Sequence, residues 1–260
     1  MIDKNFQSEL RIKFNPDGSE LRTYQLELLK MLIDFDEICR SLNIKYWLSS
    51  GTLLGAVRHG GFIPWDDDVD VDMTRDDYKK LVKSFKETDK YALQTSQNDP
   101  YYFWPYAKLR LKGTEVFEEN GNDRHYKYRG NFIDIFLIER RYNNISRLLA
   151  VIPGILYKLS KRKHLSLFYS ILFQSLKKLG LGISTLINFI TYPFHGKSYG
   201  HTYGTFFTKG NRNENDIFPI GEIEFEGHLF MAPKNPNAYL SRMFGDFMII
   251  PDYKETHLKR

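Results

Sequence analysis

From Asp66 to Met73 the chain reads Asp-Asp-Asp-Val-Asp-Val-Asp-Met, and from Asp68 onward carboxylates and apolar side chains alternate strictly. Alternate side chains of a strand leave opposite faces, so Val69, Val71 and Met73 point one way and Asp68, Asp70 and Asp72 the other. A helix would scatter those acids around its circumference, whereas an extended chain sorts them. The strand predicted over "DDVDVDM" needs a core on one side and a cation on the other, because neighbouring carboxylates repel and burying them unpaired is costly. A divalent metal is the natural remedy. Oxygen-only ligands select Mg²⁺ or Mn²⁺ over zinc, and Mg²⁺ takes one or two carboxylates together with phosphate oxygens and water.

The flanking pattern builds that core. Residues 20–42 carry an apolar stripe of near 3.6 period with no internal Gly or Pro, which predicts a helix ending at Asn43. "KYWLSS" reads as a short strand, and "GTLLGAVRHG" as a short helix opened by Gly51 and stopped by Gly60-Gly61. Thr74 with Asp77 forms a capping box for a helix over "RDDYKKLVKSF", and further strands are expected at "YALQTS", "WPYAKLRLK" and "NFIDIFLI". This order predicts an α+β fold, with a mixed sheet, flanking helices and a mostly helical basic insertion at about residues 141–210 of a single domain spanning 1–260.

A metal site wants a third acid from elsewhere. In "NFIDIF", Asp134 is a lone carboxylate framed by Phe132, Ile133, Ile135 and Phe136, an odd place for an acid without a partner. Ser50-Gly51-Thr52 opens a helix, where backbone N–H groups and a hydroxyl can hold phosphate oxygens. Arg58 and His59 come from the end of the same helix, and Lys108 and Arg110 share one face of "AKLRL". Asp68, Asp70 and Asp134 as catalytic and metal-binding acids, with Gly51, Thr52, Arg58, His59, Lys108 and Arg110 binding substrate, describe metal-dependent phosphoryl or nucleotidyl transfer. A calcium loop fits poorly, since its sixth position, which needs glycine, is Val71 and its twelfth is Asp77 rather than Glu.

The net charge of +5 is unevenly placed. Between Arg141 and Gly210 there are ten Lys or Arg and no Asp or Glu. Short apolar runs there alternate with clusters such as Lys161-Arg162-Lys163 and Lys177-Lys178, which suits peripheral contact with an anionic membrane surface better than a span. No nucleic-acid module or aromatic-basic recognition motif accompanies the charge, so nucleic acid is not an expected partner. The start "MIDKNFQSEL" carries no signal-peptide pattern, so the expected location is cytoplasmic, at most at the inner membrane face. The single Cys39 excludes an internal disulfide and falls on the apolar stripe of the 20–42 helix, while Asn144-Ile145-Ser146 is a chance glycosylation triplet.

The stretch "SSGTLLGAVRHGGFIPWDDDVDVDM" closely resembles the signature of the LicD/fukutin family of phosphotransferases, and the likeness continues in "YAKLRLKGTEV", "GNFIDIF" and "FEGHLFMAPKNPNAYLSRMFGDFMIIP". It covers about residues 20–252. The resemblance implies a nucleotidyltransferase-like core and transfer of phosphocholine or a polyol phosphate from a CDP-activated donor to a glycan hydroxyl, with a lipid-linked oligosaccharide or surface-polymer precursor as acceptor. It maps Gly51-Thr52 onto the family's Gly-Ser/Thr turn, Asp68 and Asp70 onto its Asp-x-Asp, and Asp134 onto its third acid. Asp66 and Asp72 share the parity of the Asp-x-Asp pair and stay open as further ligands. Two alternatives stand beside this expectation, a nucleotidyltransferase that releases pyrophosphate and an inactive scaffold.

Overall fold

The computed structural model describes residues 2–102, 104–117, 125–141, 155, 167–194, 196–202 and 212–250. Helix α1 (Lys4–Phe14) leads into α2 (Glu20–Ser41), whose N-cap Ser19 accepts from the Arg22 N–H at 3.2 Å. The chain leaves α2 through Asn43 at φ 51°, a left-handed conformation that asparagine tolerates. Leu28, Leu32, Phe35 and Cys39 are fully buried along the inner face of α2, the stripe visible in the sequence.

Next come β1 (Trp47–Leu48), α3 (Ser50–His59), β2 (Asp70–Thr74) and α4 (Arg75–Ser84), the last capped by Thr74, whose hydroxyl donates to the Asp77 carboxylate at 2.8 Å. Strands β3 (Tyr91–Gln94), β4 (Ala107–Leu111) and β5 (Phe132–Arg140) complete a mixed sheet in the order β1-β2-β5-β4-β3. Only the β2–β5 pair among these is parallel. Helices and a mixed sheet make the α+β architecture expected from the element order. Val69, Val71 and Met73 are at most 1% exposed, so one face of β2 is core, each such side chain contributing about 1.5–3 kcal/mol of burial.

Beyond β5, helix α5 (Leu167–Thr191) falls in the basic segment. Strand β6 (Ser198–His201) then pairs antiparallel with β5 and with β7 (Arg212–Asn213), so the basic segment returns to the main sheet before Gly210. After the short α6 (Glu214–Ile217), a hairpin of β8 (Gly221–Phe225) and β9 (His228–Ala232) turns through Glu226 and Gly227, both at positive φ. Glu226 also anchors the turn, accepting two bonds from Arg22, at 3.1 and 2.7 Å, and one from the Phe62 N–H. Helix α7 (Pro236–Phe244) ends the described chain's regular structure.

Candidate active site

Strand register assembles the acids. Asp70 on β2 lies opposite Asp134 on β5, Asp134 opposite Lys108 on β4, and Lys108 opposite Gln94 on β3. Adjacent strands are about 4.8 Å apart, so residues distant in sequence form one transverse polar row. The expected strand over "DDVDVDM" begins only at Asp70, and Asp66 to Asp68 precede it. They are held out of the ladder because the Asp66 carbonyl accepts from the buried Gln25 side chain at 2.8 Å while its N–H turns back to Ile63.

Helix α3 brings its first turn to the same place. A Cβ on Gly51 would lie 2.6 Å from Asp66 Oδ2 and 4.0 Å from Asp68 Oδ1, so glycine lets the helix start approach the Asp66 carboxylate without displacing it, with Asp68 at contact distance. Ser50 beside it sits at φ 49°, an unusual conformation for a residue with a side chain. The Thr52 hydroxyl accepts from the Asp70 N–H at 2.8 Å, and the Asp70 carbonyl accepts from the Ser49 N–H at 3.1 Å. Thr52 is buried, and this bond fixes the start of β2 against α3.

The cluster is electrostatically crowded. Burial and the charges of Asp68, Asp134 and Asp72 push the Asp70 carboxyl well above the usual carboxylate range, with Lys108 opposing them. Burial, then Asp66 and Asp134, do the same to Asp68. Burial with Asp70 and Asp67 raises Asp66 to about 7. Lys108 supplies the local cation: it is 2% exposed, its Nζ stands 2.7 Å from Asp134 Oδ1, and it lies 3.3 Å from the centroid of the Phe132 ring. One lysine against Asp66, Asp68, Asp70 and Asp134 leaves a negative surplus that favours a hard cation. The donor set, all oxygen, suits Mg²⁺ or Mn²⁺. Among the described residues no three His, Cys, Asp or Glu side chains are drawn in as a finished metal cage.

The other candidates are placed differently. Arg110 lies in the same face of β4 but is 1% exposed and committed, donating to Gln94 Oε1 at 2.8 Å and the Gly130 carbonyl at 2.9 Å and stacking on Phe132. Arg58 and His59 close the opposite end of α3. Arg58 donates to the Phe247 carbonyl at 2.9 Å and to His59 Nε2 at 2.9 Å, holding the C-terminal segment rather than facing the acids. His59 Nδ1 meets Gln7 at 2.6 Å, and burial together with the Arg58 charge lowers its pKa to about 3, so the ring stays neutral. Tyr102 and Trp104 are buried with Tyr106, Tyr126 and Phe136 in a second apolar cluster.

Asp72 has a separate task, one that the sequence pattern did not single out. Fully buried, its Oδ2 accepts from Arg212 Nε, the Ser49 hydroxyl and the Tyr239 hydroxyl, each at 2.8 Å, while His201 Nε2 stands 3.7 Å from Oδ1. Burial alone would raise this carboxyl; the Arg212 charge, with His201 and Tyr239, outweighs it and holds the pKa at about 2. The knot joins β2, β7, α7 and the residue that precedes α3. Ser49 and Asp72 both neighbour cluster residues, Ser50-Gly51 and Asp70, so the network braces the site. Its members Ser49, His201, Arg212 and Tyr239 lie in no shared local motif, and the only sequence signal was the parity of Asp72.

Comparison with known proteins adds independent findings. A family model described as LicD/FKTN/FKRP, nucleotidyltransferase domain, matches residues 43–148, a span that holds Gly51, Asp66 to Asp72, Lys108 and Asp134. The lipopolysaccharide cholinephosphotransferase LicD of Haemophilus influenzae is 30% identical over 276 residues, covering 92% of this chain and 96% of that protein. The human ribitol 5-phosphate transferase FKRP is 48% identical over 40 residues, 15% of this chain and 8% of that protein. Mannosyltransferase regulator 4 of Saccharomyces cerevisiae is 32% identical over 124 residues, 47% of this chain and 10% of that protein.

Proposed function

This chain belongs to the LicD family of phosphotransferases, and from that premise we propose that it moves phosphocholine or a polyol phosphate from a CDP-activated donor to a hydroxyl of a glycan. The observation that carries the proposal is the row Asp70–Asp134–Lys108, with Asp66, Asp68 and the start of α3 gathered around it. Asp68, Asp70 and Asp134 would hold Mg²⁺ or Mn²⁺, which supplies charge neutralisation at the donor pyrophosphate. The first N–H groups of α3 at Gly51 and Thr52 face the same anion and orient it.

In the reaction, the acceptor oxygen forms a bond to the phosphorus that carries the head group. The bond from that phosphorus to the bridging oxygen breaks, CMP leaves with the electron pair, and the hydroxyl proton goes to a carboxylate oxygen of the cluster. Lys108, 2.7 Å from Asp134 Oδ1, holds that carboxylate in place, and its charge would offset charge developing on the phosphoryl oxygens, a contribution of roughly 3 kcal/mol for a well-placed donor. Arg58, His59 and Arg110 support the site through the fold, holding the C-terminal segment and the β3–β4 pair. The core is of the nucleotidyltransferase type, and the acceptor is a lipid-linked oligosaccharide or surface-polymer precursor. Among the described residues no helix is long and apolar enough to cross a membrane. The proposed lipid-linked acceptor would bring the enzyme to a bilayer surface from its cytoplasmic side.

A thermal-shift panel tests this reading. CDP-choline, CDP-glycerol, CDP-ribitol and CTP are each added with and without Mg²⁺. One CDP compound should raise Tm only when Mg²⁺ is present, by an amount set by its saturation. A preference for CTP would favour nucleotidyl transfer, the activity written into the matched family model's description. No shift with any compound would favour a scaffold.

A further inference from the structure

Helix α5 leaves much of its apolar surface uncovered. Leu172, Leu176, Leu179, Ile183, Leu186 and Ile190 are between 40% and 63% exposed and follow one another at intervals of four and three residues. That spacing puts them in one stripe about 27 Å long. The inner side of the same helix is already engaged: Ser184 is 1% exposed and accepts from Arg141, and Leu181 lines a small cavity with Leu137 and Thr202. The stripe is therefore a second face, turned away from the protein.

What covers it follows from charge and width. A helix–helix seam in a second copy would be narrow and flanked by opposite charges. Here Phe189 and Phe194 stand 79% and 77% exposed beside or beyond the stripe and broaden it. Helix α5 itself carries Lys177 and Lys178 and no acid, so it lacks the paired opposite charges of such a seam, and the segment 141–210 as a whole holds ten Lys or Arg without one acid. A broad apolar face within a purely cationic segment matches an anionic lipid surface, where the apolar side chains enter the acyl boundary and the segment's net positive charge favours anionic headgroups.

We infer that α5 lies in the plane of an anionic membrane surface, with the Leu172-to-Ile190 stripe as its inserted face. This deepens the inner-membrane placement of the enzyme and does not depend on which group it transfers. It also shifts the contact from the basic cluster at Lys161–Lys163, which lies outside the described residues, to the apolar stripe of α5.

The test is co-flotation of the full chain with vesicles of equal parts phosphatidylglycerol and phosphatidylcholine, and with pure phosphatidylcholine. Wild type should float with the anionic vesicles and far less with the neutral ones. The double variant Leu179→Glu/Leu186→Glu should bind at least tenfold more weakly, with its Mg²⁺-dependent donor shift unchanged. The intact donor shift shows that the variant folds and separates failure here from failure of the transferase reading. Equal flotation of wild type and variant, or no flotation of wild type, overturns the inference. So does a wild-type dimer that the variant breaks without any change in vesicle binding, which would assign the stripe to a second copy. As a second probe, Leu176→Ser should weaken flotation by a smaller factor.

Discussion

Asp70→Asn is expected to lose transfer by on the order of a thousandfold or more while the protein remains folded. Asparagine keeps the size of the side chain, and the bonds that seat Asp70 are made by its backbone: the N–H to Thr52 and the carbonyl to Ser49. What changes is a carboxylate whose charge is unfavourable in the folded protein, because burial and Asp68, Asp134 and Asp72 all push its pKa up. Removing that charge relieves repulsion, so the metal-free variant should melt no lower than metal-free wild type. On the proposed metal site the same change also deletes a cation ligand, so Mg²⁺ should stabilise the variant less. Activity, thermal denaturation and Mg²⁺ titration on one preparation check all three. A structural acid would behave oppositely, with stability falling alongside activity; a fully active variant would remove Asp70 from the site.

The second large effect belongs to Arg212. Arg212→Met leaves Asp72 fully buried, with hydroxyls from Ser49 and Tyr239 but without its guanidinium. Breaking one partner of a buried pair costs about 3–5 kcal/mol, and urea denaturation should show a loss of that size. The double variant Asp72→Asn/Arg212→Met should recover a large part of it, because no uncompensated charge remains and the amide still accepts from the hydroxyls. Tyr239→Phe, which removes one hydrogen bond, should cost about 1–2 kcal/mol. Activity in Arg212→Met should fall as well, since Ser49 joins this knot to the first turn of α3. If the double variant is no more stable than the single one, the stabilisation does not come from the charge pair.

The sequence and the structure meet most closely at β2. Alternation between Asp68 and Met73 foretold a strand with a buried face at Val69, Val71 and Met73, and those residues are core. The strand's start was not legible, because it is set by Gln25, forty-one residues earlier, gripping the Asp66 carbonyl. Thr52 and Arg58 stand six residues apart on α3, a spacing that by itself puts them on different faces and at opposite ends. Lys108 and Asp134 were each singled out, yet their contact depends on β4–β5 register, which depends on a connection between strands that no local pattern specifies. Arg212 was invisible for a related reason: it reaches Asp72 across 140 residues, and a lone arginine beside "NRN" carries no mark of that partner. Helix α5 was foreseen as apolar and basic, but which face remains uncovered is a property of how it seats on the sheet.

The most direct measurement is the identity of what leaves. The chain is incubated with Mg²⁺, a total glycan extract as acceptor, and in parallel a cytidine-labelled CDP-alcohol or CTP, and the soluble products are separated. Transfer from the CDP-alcohol should release labelled CMP in step with head-group phosphate appearing on the glycan, and CTP should be left intact. Pyrophosphate released from CTP, with CMP joined to the second product, would contradict the account.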